Sequence, residues 1–359
     1  MKNDDKKIVV GLSGGVDSAV ALILLKEAGY NPIGLSLILP VWEKNPNCEN
    51  SCCTDESLCI AREVCEKLKI EYYQYDEKEE FKKEVVDYFK NTLKMGKTPN
   101  PCIVCNRFSK FAALSKWADE HGIYHISTGH YARVVKNEST DKYELKLPKD
   151  LKKDQTYTLA YLTQQQISRL ILPLGEFYKS EIMDIANAHG FDFFRKKKES
   201  QNFCFVANKA MDKFIEEVIK PAPGKIRDEN GKYLGEHKGL SYYTIGQRKG
   251  LGFSTKYYVM DKDIEKNELI LTENSSCISK NIAHLIKVSF ISNNEPEYPI
   301  KIKVKTRYQQ SFNDAILVKL SKDLWELNFL SPQSSVTPGQ FAVFYDGDSC
   351  LGAGEISLY

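Results

Sequence analysis

The sequence predicts an α/β fold that combines a parallel sheet near the N-terminus with an antiparallel β-barrel at the C-terminus. Over the first 200 residues, short β-rich runs alternate with amphipathic helical segments, a pattern typical of a parallel sheet with helices on both faces. After about residue 205, glycine and turn residues become frequent and only short β-like pieces remain. From His284 onward, six short β-rich runs separated by turn residues indicate a small antiparallel barrel.

Length and composition agree with a globular protein of several domains. The chain has 359 residues, of which 42% are hydrophobic and 27% charged, with a net charge of +2. We expect three domains, at residues 1–204, 205–278 and 279–359. The N-terminus has no long apolar region and no run of about 18 apolar residues occurs, so we expect a cytoplasmic protein without a membrane span.

The N-terminal half provides its elements in a regular order. A β-rich run at 6–13 is followed by a helical segment that ends near Gly29, and a second strand spans 31–39. Apolar residues at helical spacing predict three further helices, at 56–70, 79–93 and 106–123. Strands are expected at 70–76 and 124–130. Ligands of such sheets bind at the carboxyl ends of the strands.

The segment VVGLSGGVDSAV, Val9 to Val20, joins the first strand to the first helix. Gly14 and Gly15 expose backbone N–H groups there, and the helix N-terminus favours an anion. Asp17 suits such a place if Mg²⁺ lies between its carboxylate and phosphates. The segment fits neither G-x-x-x-x-G-K-[ST] nor G-x-G-x-x-G. Its stretch from Ser13 to Ser18 resembles the S-G-G-x-D-S loop of the PP-loop, or N-type, ATP pyrophosphatases, which adenylate an oxygen of their substrate.

Ten cysteines are more than packing requires in a chain of this kind. Two sites stand out: PNPCIVCN contains Cys102 and Cys105, and ESQNFCFV contains Cys204. A further group, Cys48, Cys52 and Cys53, lacks a second C-x-x-C that would complete a zinc site, so we expect a loop over the nucleotide site there. The glycine loop alone does not identify the substrate.

Along nearly its whole length the chain resembles the bacterial tRNA-specific 2-thiouridylases. The resemblance implies a Rossmann-like PP-loop domain, a small central domain and a C-terminal β-barrel. It rests on nine blocks in the expected order: GLSGGVDSAV, PNPCIVCNRFSKF, STGHYAR, KKDQTYTLAYL, LPLGEFYKSEI, SQNFCFV, PGKIRDENGKYLGEHKGLSYYTIGQRKGLG, VKTRYQQ and PGQFAVFYDG.

The resemblance implies ATP-dependent 2-thiolation of the wobble uridine, U34, of tRNA. ATP with Mg²⁺ adenylates the C2 oxygen, and a cysteine persulfide supplies the sulfur, giving 2-thiouridine, AMP and pyrophosphate. The implied partners are the anticodon loop of tRNA and a protein that donates persulfide sulfur.

The resemblance also implies roles for individual residues. Cys105 is the catalytic nucleophile and Cys204 carries the persulfide. The implied ATP-binding residues are Gly11, Leu12, Ser13, Gly14, Gly15, Val16, Asp17, Ser18, Leu37 and Gly129. The residues implied to contact tRNA are Asn100, Pro101 and Cys102 at the target base, and His130, Lys153, Asp154, Gln155, Arg307, Tyr308, Gln309 and Gln340.

Two routes for the sulfur remain open. In the first, Cys105 and Cys204 exchange thiol, persulfide and disulfide states. In the second, Cys102, Cys105 and Cys204 hold a 4Fe–4S cluster that delivers hydrosulfide. This route is considered because Cys102 stands where many members of the family have aspartate. We expect a lowered pKa for Cys105, because it precedes the helix predicted from Asn106 and is near Arg107.

Two hypotheses of other classes also fit the glycine loop. The chain could be a PP-loop ligase that adenylates a small molecule, with incidental cysteines, or a non-catalytic RNA-binding or iron–sulfur protein that kept the loop. Transfer of sulfur to tRNA distinguishes the 2-thiouridylase hypothesis from these two.

Overall fold

The structure, a computed structural model, describes residues 6–40, 42, 55–196, 205–206, 210–334 and 336–357. The predicted α/β class is confirmed. The N-terminal part contains a five-stranded parallel sheet in the order β3-β2-β1-β4-β7. Its strands are β1 (Lys7–Gly11), β2 (Asn31–Ile38), β3 (Tyr72–Asp76), β4 (His125–Thr128) and β7 (Leu170–Ile171).

Helices cover both faces of this sheet, as the alternating pattern predicted. In β1, Ile8 and Val10 point to the cluster that contains the first helix, whereas Val9 points to the cluster that contains Phe111 and Leu114. The helices are α1 (Val16–Glu27), α2 (Asp55–Leu68), α3 (Lys78–Phe81), α4 (Asp87–Lys94), α5 (Pro101–Cys105), α6 (Phe111–Glu120), α7 (Thr156–Leu159), α8 (Gln164–Ile167), α9 (Lys179–Ala188) and α10 (Met211–Phe214).

One predicted helix boundary is wrong. The helix expected from Asn106 begins five residues earlier, because Asn100 caps the helix and Pro101 occupies its first position, where proline costs no hydrogen bond. A π-helical turn, Asn106–Lys110, joins α5 to α6. Cys105 therefore lies inside a helical segment rather than before one.

The central part contains a mixed four-stranded sheet in the order β10-β11-β8-β9. Its apolar side is small and centres on Val259, Leu269 and Leu271, all fully buried. The strands are β8 (Gly224–Asp228), β9 (Tyr233–His237), β10 (Tyr258–Asp263) and β11 (Glu268–Thr272).

Six antiparallel strands form the C-terminal barrel, which closes through pairing of β12 with β17. The six β-rich runs of the sequence correspond to these strands. They are β12 (Ser279–Phe290), β13 (Ile300–Lys305), β14 (Asn313–Ser321), β15 (Leu324–Ser334), β16 (Phe341–Asp346) and β17 (Ser349–Ile356).

A hairpin that the sequence analysis missed connects the N-terminal part to the barrel. Strands β5 (Arg133–Asn137) and β6 (Lys142–Lys146) pair with each other, and β6 continues the barrel sheet beside β17. A buried ion pair between Lys305 Nζ and Asp154 Oδ2, 2.8 Å apart, lies at the same boundary. The two parts thus share one sheet and one core.

Within the described ranges, none of the helices combines the length and the apolar character that a membrane crossing requires.

Candidate functional site at the meeting of three domains

The loop between β1 and α1 lies at the carboxyl ends of the parallel strands. Gly14 has φ +69°, and a Cβ there would lie 2.3 Å from the carbonyl oxygen of Ser57. Ser18 Oγ donates to the Gly15 carbonyl at 2.9 Å and accepts from the Ser13 N–H at 3.3 Å. No side chain caps the N-terminus of α1, so its first N–H groups can bind an anion.

Gly129 follows β4 and packs directly on this loop. A Cβ at Gly129 would lie 2.6 Å from the carbonyl carbon of Asp17 and 2.6 Å from the nitrogen of Ser18. Only glycine permits this approach between the two backbones. The predicted nucleotide residues from Gly11 to Ser18 and Gly129 are therefore adjacent, although their role with ATP stays a prediction.

Asp17 has two partners that sequence reasoning did not identify. Its Oδ1 accepts from Lys179 Nζ at 2.6 Å and from the Tyr131 hydroxyl at 2.7 Å. Lys179 begins α9, and Tyr131 follows β4. Both lie in blocks that carried the family resemblance, STGHYAR and LPLGEFYKSEI, so the signal was present without an assigned role. Within the described ranges, Asp17 Oδ2 has no hydrogen-bond partner.

Cys102 and Cys105 lie on the same helix, α5, in different surroundings. Asn100 Oδ1 accepts from the Ile103 N–H at 3.4 Å and caps the helix. Cys102 is exposed, whereas the Cys105 side chain is 5% exposed inside an apolar cluster that includes Phe89. The exposed thiol can meet a substrate directly, and the buried thiol needs an opening of that cluster.

Cys204, the predicted persulfide carrier, lies outside the described residues, as do Cys48, Cys52 and Cys53. Phe205, the next residue in the chain, belongs to the same apolar cluster as Cys105. Its ring contacts those of Phe81 and Phe89, with centroids 5.8 and 5.4 Å apart.

The end of β2 connects the nucleotide loop to the cysteine helix. The Leu12 N–H donates to the Leu35 carbonyl at 2.9 Å, which holds the loop against the strand. Leu37, two residues later, packs against both the cluster of Val104 and the cluster of Cys105. The same end of β2 thus carries the loop at Leu35 and the cysteine helix at Leu37.

We expected Arg107 to lower the pKa of the Cys105 thiol. The contacts of the Arg107 guanidinium do not support that expectation. The Arg107 guanidinium donates to the Tyr161 carbonyl at 3.0 Å and to Ser289 Oγ at 3.1 Å, so it ties the π-helical turn to the barrel. Burial lowers the pKa of Arg107 itself.

Gln340, from the barrel, holds the segment before the cysteine helix. Its Nε2 donates to the carbonyls of Thr98 and Pro99 at 3.2 and 3.0 Å, and its Oε1 accepts from Asn100 Nδ2 at 3.3 Å. The Thr98 N–H donates to the Pro338 carbonyl at 2.9 Å. We call residues 337–340 the barrel strap. This strap fixes the start of α5 from a different domain.

The predicted tRNA residues 307–309 lie at the same junction. Arg307 donates to the Ile245 carbonyl and to Thr337 Oγ1, both at 2.8 Å. Tyr308 is 40% exposed, and burial, followed by the negative charges of Asp154 and Cys102, raises its pKa to about 12. Its phenol is therefore protonated at neutral pH. Gln309 is exposed.

The predicted tRNA residues near β4 are largely engaged within the protein. Gln155 Oε1 accepts from the Tyr131 N–H at 2.8 Å, and Asp154 forms the buried pair with Lys305. Burial, and then the charge of Lys110, lowers the pKa of His130 well below its usual value, so His130 is neutral. Lys153 is half-buried. The contacts of this group with RNA stay predictions.

Over the described part of the chain, no group of three or more His, Cys, Asp or Glu side chains is arranged to hold a metal ion. The predicted cluster ligands include Cys204, which that search did not cover. Of the other two, Cys102 is exposed and Cys105 is buried.

Three family profiles match consecutive parts of the chain. They are described as tRNA methyl transferase HUP domain, tRNA methyl transferase PRC-barrel domain and aminomethyltransferase beta-barrel domain, and they cover residues 6–208, 212–273 and 281–356.

Curated relatives match the chain from end to end. A tRNA-specific 2-thiouridylase MnmA from Halothermothrix orenii is 41% identical over 98% of both chains. The enzyme of the same name from Clostridium acetobutylicum is 39% identical over 98% of this chain and 99% of its own. Among solved structures, the U34-tRNA thiolase NcsA from Methanococcus maripaludis with its 4Fe–4S cluster is 18% identical, with a TM-score of 0.35, over 60% of this chain and 68% of its own. A likeness this low carries no argument about chemistry.

Proposed function

The chain belongs to the family of tRNA-specific 2-thiouridylases, and on that premise we propose that it catalyses ATP-dependent 2-thiolation of U34 in tRNA. One observation supports this function most: the nucleotide loop and the cysteine helix are attached to the same end of β2, the loop by the Leu12–Leu35 hydrogen bond and the helix by packing on Leu37. We further propose a cytoplasmic location and a division of the chain at residues 204 and 278.

The first step activates the base. The C2 oxygen of U34 attacks the α-phosphorus of ATP and pyrophosphate leaves, so that the oxygen becomes part of an AMP leaving group. Ser13 to Ser18 bind the departing phosphates through backbone N–H groups. Lys179, whose Nζ lies 2.6 Å from Asp17 Oδ1, supplies a nearby positive charge.

Asp17 is suited to hold Mg²⁺ on its Oδ2. Carboxylate oxygens are the ligands this ion prefers, and Mg²⁺ supplies positive charge against pyrophosphate as it leaves. Gly14 and Gly129 let the loop pack closely on Ser57, Asp17 and Ser18, since a Cβ at either position would collide with backbone atoms of these residues.

The second step transfers sulfur through Cys204 and Cys105. The Cys204 thiolate takes the outer sulfur from the persulfide of a donor protein, whose own thiolate leaves. The outer sulfur on Cys204 attacks C2 and AMP departs. Cys105 then attacks Cys204, which breaks the sulfur–sulfur bond, releases 2-thiouridine and leaves a Cys105–Cys204 disulfide.

A variant of this order gives the same products. Cys105 attacks the Cys204 persulfide first, the disulfide forms, and the released hydrosulfide attacks C2. In both orders the two thiols provide the two electrons that reduce the transferred sulfur, so a dithiol reductant must reopen the disulfide before the next turnover.

The proposed route uses the two cysteines without a cluster. Cys102 and Cys105 differ too much in exposure to present a ready pair of ligands, and we derive no step through iron. Cys102 instead lies beside the target base.

Sulfur transfer tests the proposal. The assay combines purified protein with ATP, Mg²⁺, an unmodified tRNA transcript with U34, and a cysteine desulfurase charged with sulfur-35 cysteine. It should give labelled 2-thiouridine, with AMP and pyrophosphate in equal amounts. Cys204→Ser should abolish the label and retain ATP binding. ATP cleavage that depends on a small molecule and not on tRNA would favour the ligase hypothesis. Activity that depends on about four irons per chain would favour the cluster route.

A further inference from the structure

Three segments that meet at the domain junction contain no acidic residue. Residues 88–118 carry six lysines or arginines, and residues 237–260 and 298–313 carry four each. In the whole chain, 50 basic residues nearly balance 48 acidic ones. Positive charge is therefore concentrated in the segments that surround the cysteine helix.

Hydrogen bonds hold these segments together. Ser241 Oγ donates to the Leu93 carbonyl at 3.2 Å, and Thr98 Oγ1 donates to Thr244 Oγ1 at 3.3 Å. The Arg307–Ile245 hydrogen bond adds the third segment. The end of α4 and the central domain thus run side by side, next to the chain that leads into Cys102.

Several cations in these segments are already neutralised. Lys238 pairs with Asp212, and Lys305 pairs with Asp154. Of the cations that form no ion pair within the described ranges, four belong to α4, the residues after it, and the loop at 246–250. We call these four the junction cations: Lys94, Lys97, Arg248 and Lys249. Lys94, Arg248 and Lys249 are exposed and Lys97 is half-buried.

The loop that carries Arg248 and Lys249 has a defined shape. Gly246 and Gly250 have φ +80° and +76°, a conformation that favours glycine. Between them, the Gln247 side chain accepts from the Thr244 N–H and donates to the Lys249 carbonyl, both at 3.0 Å. The two neighbouring cations are therefore presented from a fixed turn rather than from a loose strand of chain.

We propose that the junction cations bind backbone phosphates of tRNA beside the target uridine. The inference rests on the proposed function and extends it to a surface shared by α4 and the central domain. Thr98, which contacts this surface, is four residues before Cys102, so the two are at most about 14 Å apart. Phosphate contacts position a nucleic acid without reading its sequence, which is what unpaired cations at this distance can do.

Binding of an unmodified tRNA transcript with U34, measured over a series of salt concentrations, tests this surface. The salt slope is the slope of the logarithm of the affinity against the logarithm of the salt concentration. Each lost phosphate contact should reduce the size of this slope by about 0.7, and should lower the affinity at 0.1 M salt about fivefold. Arg248→Gln/Lys249→Gln and Lys94→Gln/Lys97→Gln should therefore each bind about 25-fold more weakly, with ATP affinity unchanged.

Lys6 and Lys69 provide the matched control. Both are exposed and lie just before β1 and β3, at the amino edge of the parallel sheet and away from the nucleotide loop. Lys6→Gln/Lys69→Gln should bind tRNA as the unaltered protein does.

Wild-type affinity and salt slope in both junction variants would overturn the inference. So would an equal loss of affinity in the control, since that would indicate a general charge effect. Failure of the proposed function is distinguishable, because the unaltered protein itself would then incorporate no sulfur into tRNA.

Discussion

The nucleotide loop and the cysteine helix are held in place in different ways. The loop has short-range contacts, such as Ser18 with Ser13 and Gly15, and long-range contacts from Asp17 to Tyr131 and Lys179, all within the N-terminal part of the chain. The start of the cysteine helix is held by residues from two other domains, with Gln340 240 positions from Asn100 and Thr244 146 positions from Thr98. The first site is built within one domain, and the second exists only when three domains are assembled.

This difference has a consequence for function. A protein with this construction can bind nucleotide whenever its parallel sheet is folded, whereas the reactive thiols depend on the barrel strap and the central domain. Changes in the loop should therefore impair ATP binding, and changes at the junction should impair sulfur transfer with ATP binding preserved.

The largest effect is expected at Gly129. Gly129→Ala would place a Cβ 2.6 Å from the backbone of Asp17 and Ser18 and displace the start of α1. We expect ATP affinity to fall at least about 100-fold, and stability by about 1–3 kcal/mol. Calorimetry and thermal unfolding measure the two. Gly122→Ala is the control for backbone strain: Gly122 has φ +66°, and a Cβ there would meet no atom within 4 Å, so this variant should lose stability and keep its ATP affinity. Normal ATP binding by Gly129→Ala would contradict the close approach.

The next effect is expected at the partners of Asp17. Lys179→Met removes a charged hydrogen bond, which corresponds to about 1.5–3 kcal/mol, or roughly tenfold to 100-fold in ATP affinity. Tyr131→Phe removes a neutral donor from the same oxygen and should cost about fivefold. Titration of both variants with ATP and Mg²⁺ measures this order. The reverse order would show that Lys179 matters less to the nucleotide than the structure indicates.

A smaller effect is expected at Gln340, where the substitution should increase the alkylation rate of Cys102 instead of lowering ATP affinity. Gln340→Ala removes three hydrogen bonds from the segment 98–100, so the first turn of α5 should loosen. We expect iodoacetamide to alkylate Cys102 about threefold to tenfold faster in protein without RNA, and ATP affinity to be unchanged.

Gln309→Ala is the control for this measurement, because Gln309 is exposed on the same face of the junction. It should leave the alkylation rate of Cys102 as it is. An unchanged rate in Gln340→Ala would mean that Gln340 acts only on bound RNA.

The smallest effect on sulfur transfer is expected at Lys262, where the predicted change is in stability. Lys262 Nζ donates to the Gly96 carbonyl at 2.9 Å, between the central domain and α4. Burial lowers the pKa of Lys262 to about 8. The unfolded chain, where the pKa is about 10.4, then binds more protons between these values, so the lysine's contribution to stability rises with pH in that window. Relative to Lys262→Met, the unfolding free energy should increase by up to about 3 kcal/mol from pH 7 to pH 10.5. Denaturant titrations at the two pH values measure it, and a constant difference would exclude a buried cation at this position.

The sequence was informative where contacts are local. Most strands and helices of the first 130 residues, the glycine loop and the six barrel strands were predicted, because the hydrophobic periodicity and the turn residues determine them. The helix start at Pro101 was missed, since its cap depends on Asn100, which reads equally well as a turn residue. The β5–β6 hairpin was missed because its partner, β17, is 200 residues away.

The same distinction applies to the candidate site. SGGVDS identified the nucleotide loop, whereas Lys179 could be assigned to Asp17 only in three dimensions. Gln340, Arg307 and Asp154 likewise join domains through tertiary contacts. The spacing of sequence motifs does not predict such contacts.

The central claim is that Cys105 and Cys204 complete one sulfur transfer together, at the nucleotide-activated base. The most direct test is a single turnover of protein carrying a persulfide on Cys204, with tRNA, ATP and Mg²⁺ but no reductant, followed by mass spectrometry of the peptides. We predict one Cys105–Cys204 disulfide for each 2-thiouridine formed, and no 2-thiouridine when ATP is omitted. Full thiolation of the tRNA with both cysteines recovered as free thiols would contradict the account.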